Sequence, residues 1–502
     1  LAGAFNLRLG EVVAAHGGTL DVVERRRLIL ALLAAKHGAQ HFESWRNLTV
    51  ARFRLQRVEH AAKITARAAN GGDNLFAHLF VNLEVGLALL DEVGLQFVED
   101  LTTEVGARLG GSPDEARARV WAMNALKELN FDRTRVEDFT IPYWARTRES
   151  ARVIGANAQD LVITALGGSR ATPEGGLEAD IVRFETLSDL KAADADSLAG
   201  KIAFIDERMY KTQDGSGYGL AVRKRGGCAN AAAEKGAVAC LIRSVGTQPH
   251  RMPHTGGMFR EGALGALPAA ALSGPDADQL TRLLDRGPVR VNLDIGVEYA
   301  DAAPSGNVIA EVEGSDLEDE IILIGCHLDS WDLGTGALDD GAGCGIVVGA
   351  AKLIADLPGK PRRTIRVVLY GSEEVGLFGA NAYARQHGDD LDKHMLAAES
   401  DFGAGRIWRF QTNFGEAAIS YADVMKQVLT PLGVSEGDNA AGGGPDIGVL
   451  RRAGVPVVTP AQDGRDYFDY HHTPDDTFDK IDPEAFRQNV AVYAAFTYIA
   501  AQ

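Results

Sequence analysis

The stretch Ile321-Ile-Leu-Ile-Gly325, running directly into Cys326-His327-Leu328-Asp329-Ser330, decides how this chain reads. A short apolar run of that length has the character of a fully buried strand. Polar residues follow at its carboxyl end. Working outward, the same alternation recurs. Residues 307–312 read as the strand before it. Residues 343–356 read as a helix, 364–370 as a strand, 377–386 as a helix and 395–398 as a strand. A helix at 418–429, a strand at 455–458 and a last helix at 483–500 complete the series. Strand, loop and helix in turn predict an α/β fold, a mixed, largely parallel sheet covered by helices on both faces.

The loops after those strands carry chemistry. They hold His327 and Asp329, then Asp339-Asp340-Gly341, Glu373-Glu374, Glu399-Ser400-Asp401 and His471-His472. In an open α/β sheet, ligands bind beyond the carboxyl ends of the strands, so these loops converge. Carboxylates brought together without partners raise one another's pKa. A divalent cation removes that penalty. A mixed set of imidazoles and carboxylates suits zinc, with cobalt or manganese as substitutes. Singly, each element has a plainer reading. His-x-Asp is often a surface ion pair, Asp-Asp-Gly a turn, Glu-Glu a solvated helix start and Asp401 an N-cap. Their joint occurrence at strand ends of one domain favours the metal.

Together, His327-x-Asp329, Asp339-Asp340-Gly341, Glu373-Glu374, Glu399-Ser400-Asp401 and His472-Thr473-x-x-Asp476-Thr477 resemble the co-catalytic zinc aminopeptidase and carboxypeptidase family of metallopeptidases. His327-Leu-Asp-Ser-Trp-Asp332 followed by Gly336-Ala-Leu-Asp-Asp-Gly341 is similar to its carboxypeptidase Q (plasma glutamate carboxypeptidase) subgroup. The likeness spans residues 100–502. It implies a zinc exopeptidase catalytic domain at 96–155 and 301–502, interrupted by a small β-rich protease-associated domain at 156–300. Arg225 to Ile242 carries most of the second likeness. Residues 1–95 resemble no part of the family and read as a helical region of unknown role.

The resemblance also implies residue roles. Two zinc ions per chain are expected, bridged by Asp339. His327 and Asp401 complete one set of protein ligands, and Glu374 and His472 the other. His472 matches the family position because it directly precedes Thr473; His471 is the alternative. Asp329 is expected to hold the His327 tautomer. A cis peptide is expected after Asp339. Glu373, beside ligand Glu374, is the expected general base for a zinc-activated water. The activity implied is hydrolysis of dipeptides or short peptides. Aminopeptidase action on longer peptides, glutaminyl cyclase-like acyl transfer and a non-catalytic receptor-like role are the alternatives.

Composition is consistent with this. The 502 residues carry a formal charge of -18, with 46% hydrophobic and 24% charged residues. That fits a folded chain and opposes a nucleic-acid partner, whose phosphates the protein would repel. No apolar run reaches the length of a membrane span. Residues 1–70 run the other way, with 11 Lys or Arg against 5 Asp or Glu, a net of +6 that leaves -24 for the remainder. No secretory leader is visible, although the resemblance favours a secreted or periplasmic protein. A homodimer remains open.

The weaker signals are as follows. Ser112-Pro113-Asp114-Glu115 predicts a capping box opening a helix over 113–129. A helix is expected at 227–235, stopped by Gly236. Cys228, Cys240, Cys326 and Cys344 lack CxxC spacing and read as small buried hydrophobes, with one disulfide conceivable. Arg223-Lys224-Arg225 reads as a solvated basic run. Asp446 reads as a helix N-cap or a residue of the pocket rim. Tyr467 and Tyr470 are candidates for substrate contact. Trp331 and Asp332 belong to the subgroup signature without a derivable role.

Overall fold

The computed structural model describes residues 92–260 and 262–502. The expectation for the N-terminal region therefore lies, up to residue 91, outside the described residues.

Among the described residues, fourteen strands join in one sheet. They are β1 (Arg133–Ile154), β2 (Gln159–Leu161), β3 (Ile163–Ala165), β4 (Leu177–Phe184), β5 (Ile202–Ile205), β6 (Ala239–Arg243) and β7 (Ala269–Leu272). Then come β8 (Arg290–Val312), β9 (Leu317–His327), β10 (Arg363–Tyr370), β11 (His394–Glu399), β12 (Ile407–Asn413), β13 (Ser435–Glu436) and β14 (Val457–Gln462). The order is β13-β12-β14-β11-β9-β10-β8-β4-β5-β6-β7-β3, with β1 on β8 and β2 on β1. Strand β9 lies parallel to both β10 and β11, and β11 is parallel to β14. A second parallel run joins β4, β5, β6 and β7.

The apolar run at 321–325 is the middle of β9, and its side chains alternate between two cores. Ile322 and Ile324 join one core, with helix α1 (Val93–Asp100), helix α2 (Ala342–Ala355) and helix α3 (Pro483–Ala500). Ile321 and Leu323 join the other, with residues of Phe378–Gln386 and Ile447–Arg452. Burial on both faces is why the strand reads as a continuous apolar run. Helix α2 is almost entirely buried. It meets α1 at Gly345 and Gly94, where a Cβ on either would overlap the other's carbonyl oxygen.

Several expectations need correction. Strand β1 and residues 294–306 of β8 were not legible. Strands β1 and β8 form a long antiparallel ribbon, paired from Arg133–Glu311 to Ile154–Arg290. Strand β8 thus runs through residue 301 without a break. Ser112 does accept from the Glu115 backbone N–H. Glu115, however, turns away from the box to Arg119 at 2.9 Å and the Ser305 hydroxyl at 3.2 Å. The helix expected at 227–235 begins at Ser216 and ends at Ala233. All four cysteines are buried, as expected, but they form two disulfides, Cys228–Cys240 and Cys326–Cys344. Each joins a strand to a helix, so sequence spacing alone does not disclose the pairing. No helix of the described residues is long and apolar enough to cross a membrane.

Candidate metal centre

Four neighbouring strands deliver the chemistry. His327 is the last residue of β9, Glu373 and Glu374 follow β10, Asp401 follows β11, and His471-His472 follow β14 by way of the short helix Tyr467–Tyr470. Asp339 lies on the loop before α2, and the peptide between Asp339 and Asp340 is cis. Gly343 opens the first turn of α2 against Ser400 and the Asp340 carboxylate, with no room for a Cβ. Asp340 accepts from the backbone N–H of His327 at 3.1 Å and of Gly343 at 3.0 Å, tying strand end to helix start.

The sequence-derived ligands meet in one place. His327 Nε2 stands 3.2 Å from Asp339 Oδ1 and 3.5 Å from Asp401 Oδ1. His472 Nε2 stands 3.1 Å from Asp339 Oδ2 and 3.0 Å from Glu374 Oε2. Asp339 therefore turns one carboxylate oxygen to each imidazole. His471 stacks on His472 with ring centroids 3.5 Å apart, and its Nε2 is 3.6 Å from Asp339 Oδ2. The cleft over these residues is lined by Trp331, Gly334, Gly336, Glu374, His472 and Thr473.

Electrostatics follow from burial. Burial alone would lower the His327 imidazole, but Asp401 and Asp339 outweigh it and hold it well above its usual value. Burial likewise opposes the charge on His472, yet Glu374 and Asp339 lift it to about 9. His471 is pushed well below its usual value by burial and the neighbouring His472. Burial raises the Glu373 carboxyl well above the carboxylate range, with Asp401, Glu374 and Asp446 adding to it. Imidazoles and carboxylates here share protons across the lone pairs that a cation would use.

Asp329 behaves differently from expectation in one detail. His327 Nδ1 is 3.0 Å from the Asp329 backbone carbonyl, whereas the Asp329 carboxylate is 3.7 Å away. The carbonyl thus fixes the tautomer. The carboxylate instead accepts from the Glu373 backbone N–H at 3.0 Å.

A model of peptidase family M28 matches residues 307–497. Carboxypeptidase Q of Xenopus laevis is 35% identical over 399 residues, 79% of this chain and 83% of its own length. The chain belongs to peptidase family M28. Carboxypeptidase Q of Mus musculus is 33% identical, over 80% of this M28 chain and 84% of its own. The crystal structure of a peptidase M28 precursor from Shewanella amazonensis is 52% identical, with a TM-score of 0.82, covering 84% of this chain and 96% of that one. A zinc aminopeptidase from Bacillus subtilis, 19% identical with a TM-score of 0.61 over 81% of this chain and 94% of its own, shares the fold. This M28 member is accordingly a metallopeptidase, a hydrolase of the exopeptidase class.

One residue beside the M28 centre, Arg108, was not singled out from the sequence. Arg108 is fully buried and donates to the carbonyls of Leu328, Thr335 at 2.7 Å and Gly336 at 2.8 Å, fixing the loop before Asp339. Nothing in its surroundings in sequence marks it. Asp476 was visible only as a letter of the motif. It accepts from the backbone N–H groups of Leu338 and Asp339, at 2.6 and 3.2 Å. Burial and Asp339 raise its carboxyl to about 7. The basic run is not solvated at its end. Lys224 and Arg225 are buried, and Arg225 Nη1 lies 3.3 Å from His472 Nδ1. Asp446 occupies an N-cap position but caps nothing with its side chain. It is fully buried, with both carboxylate oxygens lacking a hydrogen-bond partner. Tyr467 is buried in an edge contact with His471 at 5.1 Å.

Proposed function

We propose that this metallopeptidase is a di-zinc exopeptidase acting on dipeptides or other short peptides, with Glu373 as general base. The observation that carries the reading is Asp339, whose two oxygens face two different imidazoles at 3.2 and 3.1 Å. The residues fit two cations. Each half-site pairs one imidazole nitrogen with two carboxylates, a donor set that suits zinc. Glu374 Oε1 is buried without a hydrogen-bond donor. His327, Asp339 and Asp401 would hold one ion, and Asp339, Glu374 and His472 the other.

When bound, the zinc pair supplies Lewis acidity for the attacking water and the scissile carbonyl. The chain's own residues do the rest. Glu373 takes the water's proton and passes it to the leaving amine. Its carboxylate is free for this because the adjacent Glu374, not Glu373, faces His472. Asp329 steadies Glu373 through the backbone N–H. The carboxypeptidase Q relatives support action at a peptide terminus.

A panel of dipeptides with free and blocked termini, assayed on zinc-loaded protein, tests the substrate class. Cleavage only when both termini are free is expected. Turnover of long peptides at equal rates would instead establish the aminopeptidase alternative, and ammonia release from N-terminal Gln the cyclase alternative.

A further inference from the structure

Asp332 and Arg146 form a paired fork close to the metal centre, although neither touches it. Arg146 Nε donates to Asp332 Oδ2 and Nη2 to Asp332 Oδ1, each at 2.9 Å. A bidentate pair of this kind fixes orientation as well as charge. Arg146 Nη2 also donates to the Thr255 hydroxyl at 2.9 Å, and that hydroxyl donates onward to the Ala165 carbonyl at 3.1 Å. Thr255 is fully buried, and its side chain is thus held from two sides.

The backbone of Thr255 grips His472 twice. Its N–H donates to the His472 carbonyl at 3.1 Å, and its carbonyl lies 3.1 Å from His472 Nδ1. For Nε2 to offer a lone pair to a cation, Nδ1 must carry the proton, and the Thr255 carbonyl is the acceptor for it. Arg225 cannot replace that acceptor, because a guanidinium only donates. Its Nη2 is given to the Tyr218 hydroxyl at 2.8 Å, and its Nη1 stands 3.3 Å from His472 Nδ1, farther than the Thr255 carbonyl. His472 also has φ of 61°, a left-handed conformation that a non-glycine residue keeps only when its surroundings impose it. Trp331 packs against the same imidazole, with centroids 5.8 Å apart.

We propose that Asp332 and Arg146 are positioning residues for the metal ligand His472, acting through Thr255. The proposal rests on the reading of His472 as a ligand. Asp332 of the signature thereby gains a physical role. It sets the plane of Arg146, which seats Thr255, whose carbonyl orients the imidazole. The chain of contacts links the loop after β9, the ribbon strand β1 and the segment around Thr255 to a ligand after β14.

The test is zinc titration of the full chain against a competing chelator, for the parent protein and for Asp332→Asn, Thr255→Val, Thr255→Ser and His472→Ala. In the parent, two equivalents bind. Asp332→Asn and Thr255→Val are each expected to weaken one equivalent by about 10- to 100-fold and leave the other unchanged, the scale at which outer contacts act on metal affinity. Thr255→Ser, which keeps the hydroxyl, restores it. Equal weakening of both equivalents, or of neither, would overturn the proposal in favour of a merely structural ion pair. If His472→Ala still binds two equivalents, the ligand reading itself fails. If His472→Ala loses one while Asp332→Asn and Thr255→Val bind both as the parent does, the relay alone fails.

Discussion

At the scale of single residues, Glu373 and Glu374 show how adjacent carboxylates take different roles. Glu374 faces His472 at 3.0 Å, while Glu373 is anchored by its backbone to Asp329. Glu373→Gln is therefore expected to keep both metals and lower kcat by about 10²–10⁴, the usual contribution of a general base. Metal analysis beside a dipeptide assay checks this, and near-normal turnover would refute the assignment. A second residue contributes to acid stability. His394 is buried, with Nε2 2.8 Å from the Tyr383 hydroxyl, and burial lowers its imidazole from 6.5 to about 4. Between pH 6.5 and 4 the unfolded chain binds the proton and the folded chain does not. The stability is thus present above pH 6.5 and is lost as pH falls toward 4, by up to about 3 kcal/mol. His394→Gln should lose less over that window in denaturant titrations at pH 7.5 and 4.5; parallel losses would exclude His394 as the cause. The ligand letters were readable because each sits in a short motif after an apolar run. Arg108, Thr255 and Arg225 were not, because they act through contacts with residues more than two hundred positions away.

At the scale of elements, legibility followed burial. Strands β9, β10 and β11 are covered on both faces and read as apolar runs. Strand β1 is largely half-exposed, with Arg, Glu and Thr along much of its length, so neither a clean alternation nor a continuous apolar run marks it. Its partner β8 is charged and exposed over residues 298–302 for the same reason. The disulfides were hidden because each pairs a strand with a helix, one across 12 residues and one across 18. Cys326 directly precedes His327, so its bond to Cys344 on α2 braces the strand end that carries a metal ligand. Replacing both cysteines by Ala should cost about 3 kcal/mol, the entropy of a loop of that size. Denaturant unfolding of the variant measures it, and an unchanged midpoint would mean that the bond contributes nothing to stability.

At the scale of the whole molecule, the sheet places parallel strand ends side by side, and buried acidic side chains gather where they meet. Buried carboxylates from four loops face two imidazoles and the fixed guanidinium of Arg108, an arrangement that two divalent cations would balance. The α/β class was readable from alternation alone. The joining of the β4–β7 run to the rest through β8 was not, because it depends on strand pairing rather than on local pattern. We read residues 156–300 as the protease-associated insertion and propose that it contributes to the centre through Thr255 and Arg225. The central claim is the bridging of two ions by Asp339. It is tested most directly by anomalous diffraction at the zinc edge on crystals of the zinc-loaded protein. Two peaks are predicted, one against His327 and Asp401 and one against Glu374 and His472, with Asp339 touching both. A single peak in a fully active enzyme, or two peaks without Asp339 between them, would contradict it.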